Sequence, residues 1–221
     1  MMKTVTDVII ETIIRNRIST TEVADCMNKK GAIEGVYALN KQKFAVGKVR
    51  YIYGFKNSNW EIHKQLRGVK EGEIVLVEPF ESDERAVFGS LVSKFLVLYR
   101  RAAGIVVIGY MRDAHTLIKE NYPIWVKGVS PLGFYNTEID MPENSWGTGW
   151  VIEEARKKYD GAIAVCDDSG VVIIPKEFIN KEFIKKLNAI EEQEDIWFDC
   201  IDRRKWNTFD TVCLKKYQKK K

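Results

Sequence analysis

Two unbroken apolar runs, Ile74-Val-Leu-Val77 and Ile105-Val-Val-Ile108, constrain this chain more than any other feature. Both are dominated by strand-forming residues, so each reads as a strand buried on both faces. Gly72 opens the first, and Pro79 is expected to end it because proline cannot donate to a central ladder. Ala103-Gly104 turns the chain into the second, and Gly109 breaks it just before the pair Arg112-Asp113. In an α/β protein, ligands gather beyond the ends of such strands. An arginine there can hold a carboxylate through two parallel hydrogen bonds, and an aspartate can hold a divalent cation through oxygen. Taken alone, an Arg-Asp pair is more often a surface ion pair or a helix cap.

The remaining pattern alternates. Residues 4–15 carry apolar side chains at helical spacing, and Ser19-Thr-Thr-Glu22 is a capping box opening a second helix that Gly31 closes. Residues 44–53 read as a strand, and Ser58-Asn-Trp-Glu61 as another capping box with a helix to Leu66. Asp83 can cap a helix whose stripe of Ala86, Val87, Leu91, Val92, Phe95, Leu98 and Tyr99 is expected to face the core. A short helix over 114–119, strands at 123–127, 162–166 and 171–175, and a helix over 177–194 follow. Asp167-Asp168-Ser169-Gly170 supplies the tight turn between the last two strands, with Asp168 shaping it. Strand–helix–strand units and hairpins together imply an α/β chain with a mixed sheet.

Composition excludes several classes. The net charge of +4 does not demand nucleic acid, and much of the excess sits in residues 215–221. Four cysteines share no CxxC spacing, which argues against structural zinc and suits reduced thiols in a cytoplasmic protein. No run approaches the ~18 apolar residues of a membrane span. His63 and His115 read as polar surface or interface residues. One domain over 1–195 is the simplest account, with 136–159 as an insertion and 196–221 as an aromatic, lysine-rich extension. Trp146 and Trp150 in the insertion suit interface packing better than stacking on a sugar or nucleotide. The aromatic extension is expected to dock on a neighbour and offers a route to a protein partner.

The order of short motifs resembles the RraA-like family, which contains 4-hydroxy-4-methyl-2-oxoglutarate aldolases, oxaloacetate decarboxylases and the ribonuclease E activity regulator A. The motifs are Ile18-Ser-Thr-Thr-Glu-Val-Ala-Asp25, Ala45-Val-Gly47-Lys-Val, Gly72-Glu-Ile-Val-Leu-Val-Glu78, Arg85-Ala-Val-Phe-Gly89-Ser-Leu-Val92, Ala103-Gly104-Ile-Val-Val, Gly109-Tyr-Met-Arg112-Asp113, Pro123-Ile-Trp-Val-Lys-Gly128-Val-Ser-Pro131 and Asp168-Ser-Gly-Val-Val-Ile-Ile-Pro175. The resemblance implies a swivelling β/β/α sandwich with mixed sheets, assembled as a homotrimer or hexamer. It implies that Arg112 binds the carboxylate and ketone of a small 2-oxo acid and that Asp113 binds Mg2+ or Mn2+. Backbone N–H groups of Gly89, Ser90, Leu91 and Val92 would cradle the substrate carboxylate.

The departures bear on activity. Ser90 stands where the aldolases carry an acidic residue, and it cannot act as a base. One residue more separates Ser90 from Arg112 than in the family pattern, so the segment between Leu91 and Arg101 must absorb an insertion. Glu78 replaces an aspartate at the strand end, and Pro79-Phe80 replaces a glycine-rich stretch. Glu78 and Asp83 are candidates for supporting charge. The expectation is a divalent-metal-dependent lyase that decarboxylates or cleaves a 2-oxo acid. The alternative is a non-catalytic regulator that binds a ribonuclease or another protein.

Overall fold

The computed structural model describes residues 3–142 and 146–218; Glu143, Asn144 and Ser145 of the expected insertion and Lys219, Lys220 and Lys221 of the basic run lie outside the described residues. α1 (Val5–Asn16) starts at Thr4, and α2 (Thr20–Cys26) starts at Ser19, each with a reciprocal capping box. At the second, Ser19 accepts from the Glu22 N–H while the Glu22 carboxylate accepts from the Ser19 N–H. α2 ends at Cys26, earlier than Gly31, because Asn28 and Lys29 already adopt positive φ and turn the chain.

The strands are β1 (Tyr37–Ala38), β2 (Ala45–Phe55), β3 (Ile74–Phe80), β4 (Gly104–Met111), β5 (Ile124–Val129), β6 (Ile163–Asp167) and β7 (Gly170–Ile174). They form one mixed sheet in the order β1-β5-β4-β3-β2-β6-β7. β2 to β5 pair in parallel, while β1 joins β5, β6 joins β2 and β7 joins β6 in antiparallel fashion. β2 changes partner along its length: residues 45–48 pair with β6 and residues 49–55 with β3. The segment before β1 reaches β7, with Ile33 N–H donating to Val171 O and Ile173 N–H to Gly31 O, so the sheet nearly closes. This is the mixed α/β architecture expected from the sequence.

Three apolar clusters define the layers. The first lies between the parallel strands and the helices α3 (Trp60–Leu66), α4 (Ser90–Lys94) and α5 (Ala114–Glu120). The second fills the inside of the folded sheet around Trp125, and the third joins β6 and β7 to α1, α2 and α7 (Lys181–Asp202). Trp125 is fully buried, and its indole N–H donates to Asp167 O at 2.7 Å across the sheet interior. The Asp167 carboxylate in turn accepts from Thr20 N–H and Thr20 Oγ1, each at 2.8 Å. β5, the β6–β7 hairpin and α2 are thereby tied together.

Several local expectations are corrected. β3 runs through Pro79 to Phe80, because its ladder with β4 stops at Val77 and no N–H is needed from residue 79 on that side. β4 likewise runs through Gly109, which lies at an irregularity between Val107 and Tyr110; a Cβ there would sit 2.9 Å from the Pro79 ring. Ser58 does not form a capping box: Asn59 takes the N-cap position of α3 without a side-chain cap bond. Asp83 does not cap a helix either, since it exchanges two hydrogen bonds with Asn57.

The 86–99 stripe splits. Ala86, Val87 and Phe88 precede the helix and are buried, with Ala86 bridging Tyr110 and Gly133; Val92 and Leu96 are buried, and Leu91, Phe95, Leu98 and Tyr99 are exposed. A π-helical turn at Phe95–Tyr99, closed by Arg100 N–H donating to Phe95 O, directly follows α4 within the segment expected to hold an insertion.

The C-terminal helix continues past Glu194 to Asp202, so part of the expected extension belongs to α7. The chain then folds back on that helix: Gln193 Nε2 and Trp197 Nε1 both donate to Tyr217 OH. This aromatic pair packs within the same chain, whereas Phe198 and Phe209 remain exposed. α6 (Gly147–Tyr159) covers β2, with Tyr159 stacked on Tyr51. Trp146 and Trp150 are exposed. Cys26, Cys166 and Cys200 are buried and Cys213 is exposed, all as free thiols. No helix among the described residues is long and apolar enough to cross a membrane.

Candidate active site

The C-terminal end of β4 gathers three backbone segments. Val87 N–H donates to Tyr110 O and Arg112 N–H to Phe88 O, which lays residues 86–88 along the end of the strand. On the other side, Ala86 N–H donates to Leu132 O and Phe134 N–H to Ala86 O. Residues 86–88 therefore lie between 110–112 and 132–134, and Arg112 and Asp113 emerge at the strand end where a parallel sheet presents a crevice.

Asp113 adopts a left-handed conformation, φ +63°, uncommon for a non-glycine residue and costly unless its surroundings hold it. It occupies the N-cap position of α5 without capping it. Its Oδ2 instead accepts from Ser90 N–H at 2.9 Å and Ser90 Oγ at 3.1 Å. Gly89 permits this approach, since a Cβ at that position would lie 2.2 Å from Asp113 Oδ2 and displace the carboxylate.

Arg112 lies beside it. Its Nε is 4.0 Å from Asp113 Oδ2, a loose ion pair, and its side chain is 52% exposed. Among the described residues its guanidinium makes no hydrogen bond, which leaves the planar donor fork open to an anion. The bare backbone of Gly133 gives it room: a Cβ there would be 2.7 Å from Arg112 Nη1.

Both side chains line one cavity of about 350 Å³, together with Gly89, Leu91 and Val92. They also border a smaller cleft of about 200 Å³ next to Val129 and Pro131. The expected anion cradle is corrected in one respect: the Ser90 N–H and hydroxyl are already engaged by Asp113. Leu91 is largely exposed. Glu78 is on the opposite face of β3, as strand alternation requires. It accepts from Tyr51 OH at 2.9 Å, and burial pushes its carboxyl above the usual range. Asp168 accepts from Gln42 N–H beside its turn, remote from this cavity.

The donor set fits a hard, mainly hydrated cation such as Mg2+. Among the described residues Asp113 Oδ1 accepts no hydrogen bond, whereas Oδ2 is engaged by Ser90, and such ions commonly take one or two carboxylates while keeping several waters. Among the described residues no three His, Cys, Asp or Glu side chains converge, so a fully protein-caged metal has no support.

A third wall was not anticipated. α3 contributes Asn59, Trp60 and His63 to the same cavity, and Asn136 adds to the rim. Asn59 and His63 stand four apart and so share one helix face, the signal that could have paired them.

A family model described as RraA-like, Aldolase/RraA, matches residues 20–173. An uncharacterized protein from Pseudomonas syringae pv. tomato superposes with a TM-score of 0.72 at 19% identity, covering 96% of each chain. Streptomyces coelicolor RraAS2, an unusual member of the RNase ES inhibitor RraA protein family, gives 0.64 at 22% identity, over 84% of this chain and 94% of its own. The RNA-processing inhibitor RraA from Thermus thermophilis gives 0.54 at 19% identity, over 71% and 92%. At these identities the superpositions show a shared fold.

Proposed function

The chain belongs to the RraA-like family, Aldolase/RraA, and on that premise we propose that it is a divalent-metal-dependent lyase acting on a small 2-oxo acid. The observation that carries the reading is the open Arg112 guanidinium beside Asp113 in a cavity large enough for a small molecule. Arg112 binds the substrate carboxylate and orients the adjacent ketone. Asp113, held by Ser90, would hold Mg2+ or Mn2+ through Oδ1. A cation bound there supplies Lewis-acid polarisation of the ketone and stabilises negative charge developing on its oxygen. In decarboxylation the bond to the departing carboxylate breaks, CO2 leaves, and the electron pair remains as a pyruvyl enolate that takes a proton. In retro-aldol cleavage a hydroxyl proton must also be removed, and Ser90 supplies no base for it.

Decarboxylation of oxaloacetate is therefore expected to outpace cleavage of 4-hydroxy-4-methyl-2-oxoglutarate. Pyruvate release from both substrates, with and without magnesium, tests this. Aldolase turnover equal to or above decarboxylation contradicts the ranking. Absence of turnover on either, in folded protein, favours the regulatory reading that Ser90 also suits.

A homotrimer or hexamer fits the exposed apolar face of Leu91, Phe95, Leu98, Tyr99 and Ile118 beside the site. Light scattering should return a mass of three or six protomers; a monomer at micromolar concentration removes that assembly.

A further inference from the structure

α7 extends past the layers it packs on. Phe183, Leu187, Ile190, Glu194, Trp197 and Ile201 recur at alternating steps of four and three residues, so they share one helix face. Phe183 and Leu187 are buried in the cluster that joins α7 to α1, α2 and the β6–β7 hairpin, and Ile190 packs partly against it. Further along, the same face opens to solvent. Glu194, Trp197, Phe198 and Ile201 line a groove of about 200 Å³, and Phe198 is 63% exposed. The chain beyond α7 folds back beside this groove, with Tyr217 bonded to Gln193 and Trp197 and Thr211 buried. It turns Phe209, Val212 and Leu214 outward.

Charge divides along the same line. Residues 191–202 hold six carboxylates and no lysine or arginine, whereas residues 203–221 hold eight lysines and arginines against one carboxylate. Ion pairs within the chain join Asp199 to Arg203 and Arg204, and Asp210 to Lys216. Asp195 and Asp202, three before and four after Phe198 and so on its side of the helix, make no hydrogen bond or ion pair among the described residues. Lys205 and Lys215 make none either. Asp202 also lies in the last turn of α7, against the helix dipole. Burial, with Glu22, Asp25 and Asp195 nearby, pushes the Glu194 carboxyl above its usual range. The groove therefore repels another groove and suits a cationic, partly apolar surface. The folded-back segment is such a surface, every copy of the chain carries it, and through Trp197 it adjoins the groove. Two adjoining complementary patches are what a two-fold contact between identical chains requires.

We propose that this surface is a self-association interface, in which the acid-flanked groove of α7 receives the basic, apolar outer face of residues 203–218 from a second copy, reciprocally about a two-fold axis. The family match ends at residue 173, so the contact belongs to the C-terminal part of this chain. It is separate from the Leu91 face and independent of the 2-oxo acid reading. Joined to a trimer it gives six protomers; alone it gives two.

Sedimentation velocity of the full-length protein at micromolar concentration tests this as a ratio of masses. One variant, Asp195→Lys with Asp202→Lys, reverses the groove. The other, Lys205→Glu with Lys215→Glu, reverses the segment that enters it. All four side chains are exposed, so both variants should fold. Each alone should weaken the association about 100-fold, the scale of like charges brought together at an interface, and show half the mass of the unaltered protein. An equal mixture should restore the full mass, because each groove then meets a segment of opposite charge. Added salt should weaken the unaltered contact. Unchanged mass in either variant overturns the proposal, and so does a mixture that stays at half mass. An unaltered protein that is monomeric or trimeric also overturns it and leaves the groove to a foreign basic segment. If a reversal variant does not fold, Phe198→Ser takes its place and should halve the mass on its own; full mass in that variant overturns the proposal.

Discussion

Arg112→Ala should lower kcat/KM for pyruvate release by about 10²–10³-fold, the scale of losing one preorganised charge-stabilising group. Arg112→Lys should recover only part of this. An ammonium keeps the charge but lacks the planar fork that meets a carboxylate with two parallel bonds. Stability should change little in either variant. The side chain is half exposed, makes no hydrogen bond among the described residues, and approaches Asp113 only at 4.0 Å. A loose surface pair of that kind contributes at most about 1 kcal/mol. Initial rates and urea denaturation on the same preparations separate the two effects. Activity of Arg112→Ala within about threefold of the unaltered protein would remove Arg112 from the chemistry.

Trp125→Ala is expected to have the largest effect on stability, about 3–5 kcal/mol by the usual cost of truncating a buried aromatic. Trp125 is fully buried inside the folded sheet, and a Cβ on Gly104 would lie 3.1 Å from its ring. Its indole N–H also supplies a partner for Asp167 O. Trp125→Phe keeps most of the ring and loses the hydrogen bond, so it should cost clearly less than alanine. Chemical denaturation measures both, and the difference divides packing from hydrogen bonding. A loss under about 1 kcal/mol for Trp125→Ala would mean that β5 is not clamped to the β6–β7 hairpin as described.

Local motifs came through in part: the Ser58 box did not form, because Asn59 takes the N-cap position. The Ser19 box lies in four adjacent residues, and α2 starts where it says. The apolar runs at 74–77 and 105–108 became the central parallel strands, β3 and β4. The turn at Asp168-Ser169 joins an antiparallel hairpin. The π-helical turn at Phe95–Tyr99 was not legible in the sequence, because apolar periodicity does not register a change from α to π geometry.

Features governed by distant partners misled. Pro79 was read as a strand end because its missing N–H matters only where a neighbour needs it, and β4 has already left the ladder there. The stripe after Asp83 looked like one helix because periodicity cannot tell that residues 86–88 pair with 110–112 and 132–134. Trp125 gave no hint of its bond to Asp167, nor Asn59 of its place beside Arg112.

The amino-acid order by itself determined the strand and helix inventory, the family, and the candidate Arg112-Asp113 pair. These are encoded in short motifs and periodicities that neighbouring residues satisfy among themselves. Only the tertiary structure decided that Ser90 engages the Asp113 carboxylate, that the Arg112 guanidinium has no hydrogen-bond partner among the described residues, and that α3 supplies the remaining wall. Each of those outcomes depends on which groups from remote segments arrive within hydrogen-bonding distance, and chain order does not specify that distance.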